Sequence, residues 1–209
     1  MRDWSSDVCS SDLDKAKGDV ANGVELRACS VLDRAGLVAL FKEWSTFDIL
    51  VCAATGGSRA AGPFLEMDLD AYQASFAKLW GYTNAVRLGV EYMTREGTIV
   101  LVSGAPARKT KPGQIALSSV GGAVEAFCRG VAAELAPRRI NSVSPGIIDT
   151  PMFGPESSER SNKLNSATAD HMIPRAGTAD EVANGIVFAI QNDFVTGTTV
   201  DVDGGWLLS

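Results

Sequence analysis

Few residues in this 209-residue chain can move a proton near neutral pH. The one histidine, His171, leaves little room for a zinc site or a histidine-based triad, and no metal site is expected. It is expected to be exposed, in the polar and mobile stretch 154–170 and its end. The four cysteines, Cys9, Cys29, Cys52 and Cys128, form no CxxC pair. Three lie in apolar strand or helix contexts, which points to reduced, buried thiols and a cytoplasmic location. Arg108, Lys109 and Lys111 make a basic loop, either solvated or meeting an acidic ligand. Trp80 and Tyr82 flank Lys78 closely enough for packing, a subunit contact or ligand stacking, the first two being favoured.

The elements that must position these groups alternate between two periods. Leu37, Val38, Leu40, Phe41 and Trp44 repeat at helical spacing over 34–45. VELRAC (24–29) reads as a short strand. FDILVCAA (47–54), TIVLVS (98–103) and RINSVS (139–144) are continuous apolar or β-rich runs, as buried parallel strands require. Asp68 or Asp70 can cap one helix running to about Met93. Residues 115–136 form a long helix, with Ala, Gly and Ser on one face. Thr178 caps a helix over 179–191 with Asp180 and Glu181 in its first turn, and TTVDVDGG (198–205) is a last strand and turn. Strands alternating with helices imply an α/β domain with a doubly wound parallel sheet, a Rossmann-like three-layer α/β/α fold.

Four stretches, in order, resemble the short-chain dehydrogenase/reductase family. They are FDILVCAAT (47–55), ELAPRRINSVSPGIIDTPM (134–152), IPRAGTADEVA (173–183) and VTGTTVDVDGG (195–205). The resemblance spans residues 14–209 and implies hydride transfer between NAD or NADP and a carbonyl or alcohol of unknown identity. It further implies cofactor contacts from Ser30, Val31, Ala53, Ala54, Thr55, Pro145, Gly146, Ile147, Ile148 and Thr150, and a homodimer or homotetramer. Pro145-Gly146 would let the backbone pass close to the nicotinamide, with a plain strand-end turn as the alternative.

The departures bear on catalysis. The family works with an Asn, a Ser and a Tyr-x-x-x-Lys, the Lys one helical turn from the Tyr. Alignment puts Lys78, Gly104, Leu117 and Gly121 in those four places, and Ser103 is the only neighbouring candidate. Leucine donates no proton and glycine holds no charge, so this chain is expected to be inactive as it stands; the alternative is a non-catalytic dinucleotide-binding or scaffold homologue. Ser30 stands where the family has Asp. The glycine-rich turn that normally follows the first strand is not found. TGGSRAAG (55–62) is similar to that turn, but Pro63 follows and no helix opens before Asp68, so a loop over the cofactor's ribose is the preferred reading.

Residues 3–13, DWSSDVCSSDL, are similar to a translated sequencing adapter. Residues 1–13 are therefore expected to be a disordered, non-native leader before an incomplete domain. The incomplete domain would lack its first strand-helix-strand unit, about 30 residues or more. VELRAC would then have no natural partner, and DILVCAA would be an exposed apolar edge. With the first strand lost, the cofactor would be doubtful in this chain. Net charge −6 and pI about 4.8 argue against a nucleic-acid or anionic-membrane surface. No uninterrupted apolar run reaches the ~18 residues of a membrane span.

Overall fold

A computed structural model describes Glu25, Arg27–Ala54 and Arg59–Ser209. The leader, the start of VELRAC and Thr55–Ser58 lie outside the described residues. Four parallel strands lie in the order β1 (Phe47–Cys52), β2 (Met93–Val102), β3 (Arg139–Pro145), β4 (Thr199–Val202). The helices between them are α1 (Arg34–Glu43), α2 (Leu69–Ala74), α3 (Ala77–Gly89), α4 (Ile115–Leu135), α5 (Ser158–Thr168) and α6 (Ala179–Gln191).

The period-2 alternation of the strands builds two cores. Ile99, Leu101 and Ile140 point to one face and pack with Leu37 and Phe41 of α1, Tyr82 and Val86 of α3, and Val124 and Cys128 of α4. Val100 and Val143 point to the other, against Val182, Ile186 and Ala189 of α6. Each such fully buried aliphatic side chain stabilises the fold by about 1.5–3 kcal/mol relative to an exposed one. The 21-residue α4 is long and apolar enough to cross a membrane, but its buried side chains are core residues on the sheet. The expected doubly wound parallel sheet is thus what the chain forms.

Strand β1 closes one side of this sheet. Leu50 and Cys52 face the first core, whereas Ile49 and Val51 are 48% and 40% exposed. The strand expected at VELRAC is not formed at Glu25 or Arg27–Cys29. Instead Val31 packs on Gly81 of α3, where an added Cβ would lie 2.5 Å from Val31 Cγ2. Asn84 donates to the Val31 carbonyl at 3.1 Å.

Three other expectations are corrected. The single helix from Asp68 to Met93 is two helices. Asp68 caps α2 as expected, but the Ser75 hydroxyl donates back to Ala71 O and accepts the Ala60 N–H, breaking the helix before α3. The polar stretch 154–170 contains α5, capped by Ser157. Arg160 on α5 pairs with Asp149 and donates to Gly154 O, tying that helix to the segment after β3. His171 is 7% exposed, because its ring stacks on Trp206 at 5.5 Å. At α6 the sequence is followed closely, with Thr178 and Glu181 forming a reciprocal capping box.

Candidate functional site

In a doubly wound sheet the loops at the carboxyl ends of the strands converge on one rim. Here that rim carries Ala53-Ala54 after β1, Ser103–Lys111 after β2, Gly146–Thr150 after β3 and Asp203–Gly205 after β4. Thr55 lies outside the described residues. Ser30 and Val31 lie instead in a turn ahead of α1, with Ser30 Oγ accepting the Leu32 N–H at 3.2 Å. Val31 there packs against α3.

Gly146 has a definite structural cause. A Cβ there would meet Asp203 Cα at 2.8 Å and Asp203 O at 2.9 Å, and its N–H donates to Val202 O at 3.0 Å. The close approach that demands glycine is that of the β4 turn, in addition to any ligand. Ile147 O accepts from Gly177 N at 2.9 Å, and Asp149 N donates to Gly177 O at 2.8 Å. These bonds fix the Pro145–Thr150 segment against the start of α6, and Thr150 leads into a 3-10 turn at Pro151–Phe153.

Three of the four positions aligned with the catalytic set, Lys78, Gly104 and Gly121, meet at the loop after β2. Gly104 is extended, and a Cβ built on it would meet only Pro106 Cδ at 3.6 Å and Pro145 O at 3.9 Å. Among the described residues nothing else lies within 4 Å of that position. Gly121 is filled from outside, since its Cβ would lie 3.1 Å from Ala107 Cβ. Leu117 is half-buried at the start of α4. Ser103 turns inward: its hydroxyl lies 3.1 Å from Glu125 Oε1 and 3.4 Å from Val143 O. That hydroxyl is committed to the core side.

Glu125 was not singled out by sequence, although a carboxylate one residue from Val124 on the buried face of α4 was a signal. Its side chain is 4% exposed. A buried carboxylate needs partners, and Arg108 Nε at 3.3 Å and Ser103 Oγ supply them. Arg108 also pairs with Asp201 of β4. Lys109 donates to Trp206 O at 2.9 Å and to Ser209, and the Lys111 ammonium sits 5.5 Å over the Trp206 ring. The basic loop is therefore paired with acids, carbonyls and an indole, while Arg108 and Lys111 stay exposed to solvent. Lys111 and burial together hold the His171 imidazole below its ordinary pKa, burial being the larger cause.

Lys78 on α3 is half-buried, and Nζ donates to Ser103 O at 3.3 Å. It lies 5.5 Å from the ring of Tyr82, whose hydroxyl donates to Val102 O at 3.4 Å. Burial, helped by Arg59, lowers the ammonium to about 7. Burial raises Tyr82 and pushes the Cys52 thiol up to about 12, so neither ionises near neutrality. Trp80, in contrast, is 57% exposed. It borders a separate open cleft of about 570 Å³ with Leu32, Arg34, Asp70, Gln73 and Asn84, none of them on the rim.

The chain matches, over residues 7–207, the family model described as enoyl-(acyl carrier protein) reductase. It is 30% identical over 183 residues to the short-chain reductase protein NovJ of Streptomyces niveus, covering 82% of this chain and 68% of that one. Over 124 residues it is 34% identical to the short-chain dehydrogenase/reductase ATR9 of Stachybotrys chlorohalonatus, covering 58% of this chain. The matched stretch spans 49% of that relative and 54% of the 3-oxoacyl-[acyl-carrier-protein] reductase FabG of Thermotoga maritima, about half of each. A crystal structure of a small-chain dehydrogenase in complex with NADPH superposes with a TM-score of 0.82 at 28% identity, covering 96% of this chain and 94% of that one. With the sheet order, the rim loops and these matches in agreement, the chain belongs to the short-chain dehydrogenase/reductase family.

Proposed function

We propose that this chain is an NAD(P)-dependent oxidoreductase homologue of the carbonyl/alcohol class, with the dinucleotide at the carboxyl rim of the sheet. The observation that carries this reading is the rim at the carboxyl ends of β2 and β3, where a Cβ on Gly104 would have only Pro106 and Pro145 within 4 Å among the described residues and the Gly146–Ile148 backbone follows β3. In this reading the nicotinamide lies along that rim, with the Ile147–Ile148 backbone meeting its carboxamide as the family resemblance implies. Ala53 and Ala54, without bulky side chains, border the same rim. When bound, the dinucleotide supplies or accepts the hydride. The family's own proton-transfer route is closed, because Leu117, Gly121 and Gly104 hold none of its groups, and turnover by that route is absent.

A second reading, a non-catalytic dinucleotide-binding or scaffold homologue, is favoured by those same three positions. In either reading the partners are copies of the same chain, in a cytoplasmic homodimer or homotetramer. Titration with NADPH, then a panel of aldehydes and ketones, separates the readings. Binding with turnover supports the oxidoreductase. Binding without turnover supports the second reading, and no binding to folded protein overturns both.

A further inference from the structure

The family-aligned cation site on α4 is empty of charge at Gly121, yet a lysine from the neighbouring helix reaches the same loop. Gly121 abuts Ala107 at one end of the Ser103–Ala107 segment, and Lys78 Nζ bonds Ser103 O at the other. We propose that Lys78 is the proton donor for carbonyl reduction in this chain, acting directly on the substrate oxygen beside Gly104. This inference rests on the oxidoreductase reading above.

Three observations on geometry carry it. Ser103 O engages one of the three ammonium N–H bonds, leaving two for a substrate oxygen. Among the described residues Gly104 is bordered by Pro106 and Pro145, neither of which carries a side-chain donor. Two neighbouring hydroxyls among the described residues are engaged elsewhere: Ser103 Oγ faces Glu125, and the Tyr82 hydroxyl faces Val102 O. Burial and, second to it, Arg59 ahead of α2 set the charge of Lys78; the Tyr82 ring on its own helix lies 5.5 Å away, and Cys52 at the end of β1 acts on Tyr82. None of these is anionic near neutrality, and among the described residues no carboxylate pairs with Lys78. An ammonium held this way titrates close to working pH, where a general acid is most effective.

The step balances. A hydride from the reduced nicotinamide bonds to the carbonyl carbon, and the carbonyl π pair moves to oxygen. That oxygen takes a proton from Lys78 Nζ, giving the alcohol and the oxidised dinucleotide. The neutral amine regains its proton from solvent.

The test has two arms on the full chain. Competitive acylation followed by mass spectrometry reads the titration of each lysine without cofactor. Lys78 is expected to reach half-reactivity near pH 7, well below the ~10 of an ordinary lysine. In the second arm, NADPH binding and NADPH-driven carbonyl reduction are measured for the parent, Lys78→Met and Lys78→Arg. The parent's kcat is expected to fall as pH rises through about 7, because the protonated form is needed. Both variants are expected to lose at least about 100-fold in kcat, in the range a lost general acid costs, with NADPH affinity within about twofold. Lys78→Arg controls for charge, since guanidinium does not give up its proton. An ordinary lysine titration, or a Lys78→Met variant as active as the parent, overturns the inference alone. A parent that binds NADPH without turnover overturns the oxidoreductase reading and the inference with it. Absence of NADPH binding overturns the functional reading and the inference with it.

Discussion

Removing Lys78 should stabilise the protein, and more so at low pH. The ammonium falls from its ordinary 10.5 to about 7 in the folded chain, chiefly by burial. Between those two values the unfolded chain binds a proton that the folded chain does not. Parent stability therefore rises with pH across that window, and the full cost of holding the charge is felt below pH 7. The shift of about 3.5 units sets a ceiling of about 5 kcal/mol at 1.36 kcal/mol per unit. Lys78 is only half-buried. Solvent screening brings the expected cost to about 1–3 kcal/mol. Urea unfolding of the parent and Lys78→Met at pH 6, 8 and 10 reads this directly. The advantage of Lys78→Met at pH 6 should shrink by about 1–3 kcal/mol by pH 10. Other titrating groups are common to both proteins and cancel in the difference. A difference that stays constant from pH 6 to pH 10 refutes the reasoning, because it would place an ordinary lysine in the folded chain.

Further predictions follow from single contacts. Gly146→Ala forces a Cβ to within 2.8 Å of the Asp203 backbone and should cost about 1–3 kcal/mol, read as a lower urea midpoint at unchanged slope. Thr178→Ala removes one half of the α6 capping box and should cost about 1 kcal/mol in the same assay. The Arg175 partnership lowers Glu181 to about 2, so its contribution is present above the ordinary carboxylate pKa and is lost as pH falls from about 4.5 through 2. Glu181→Gln should flatten that part of the acid-unfolding curve, and an unaltered curve would count against the pair. Val51→Lys puts a charge on the exposed face of the edge strand and should lower light scattering on concentration with little change in urea midpoint.

Continuous apolar runs mark strands buried on both faces, and cap residues mark helix starts, and there the sequence was legible. The runs at Thr98–Val102 and Ile140–Ser144 and the Thr178 cap were all placed from local pattern alone. Local pattern failed where long-range partners decide. Nothing near His171 signals Trp206, 35 residues on, whose ring buries it. The Arg108 pairing was hidden because Asp201 lies 93 residues away. The break at Ser75 depends on the Ala60 N–H, which no helical periodicity contains. At the site, alignment located the departures at Leu117, Gly121 and Gly104, since these are questions of residue type. It could not show that Ser103 faces Glu125 or that Lys78 reaches Ser103 O, because both are matters of side-chain direction.

The central claim is that a nicotinamide dinucleotide sits on the carboxyl rim formed by β1, β2 and β3. Amide chemical-shift mapping during an NADPH titration tests it most directly. Saturable shifts are expected at Ala53, Ala54, Gly104 and the Gly146–Ile148 backbone. No shifts, or shifts confined to the Arg34–Trp80 cleft between α1 and α3, would contradict it.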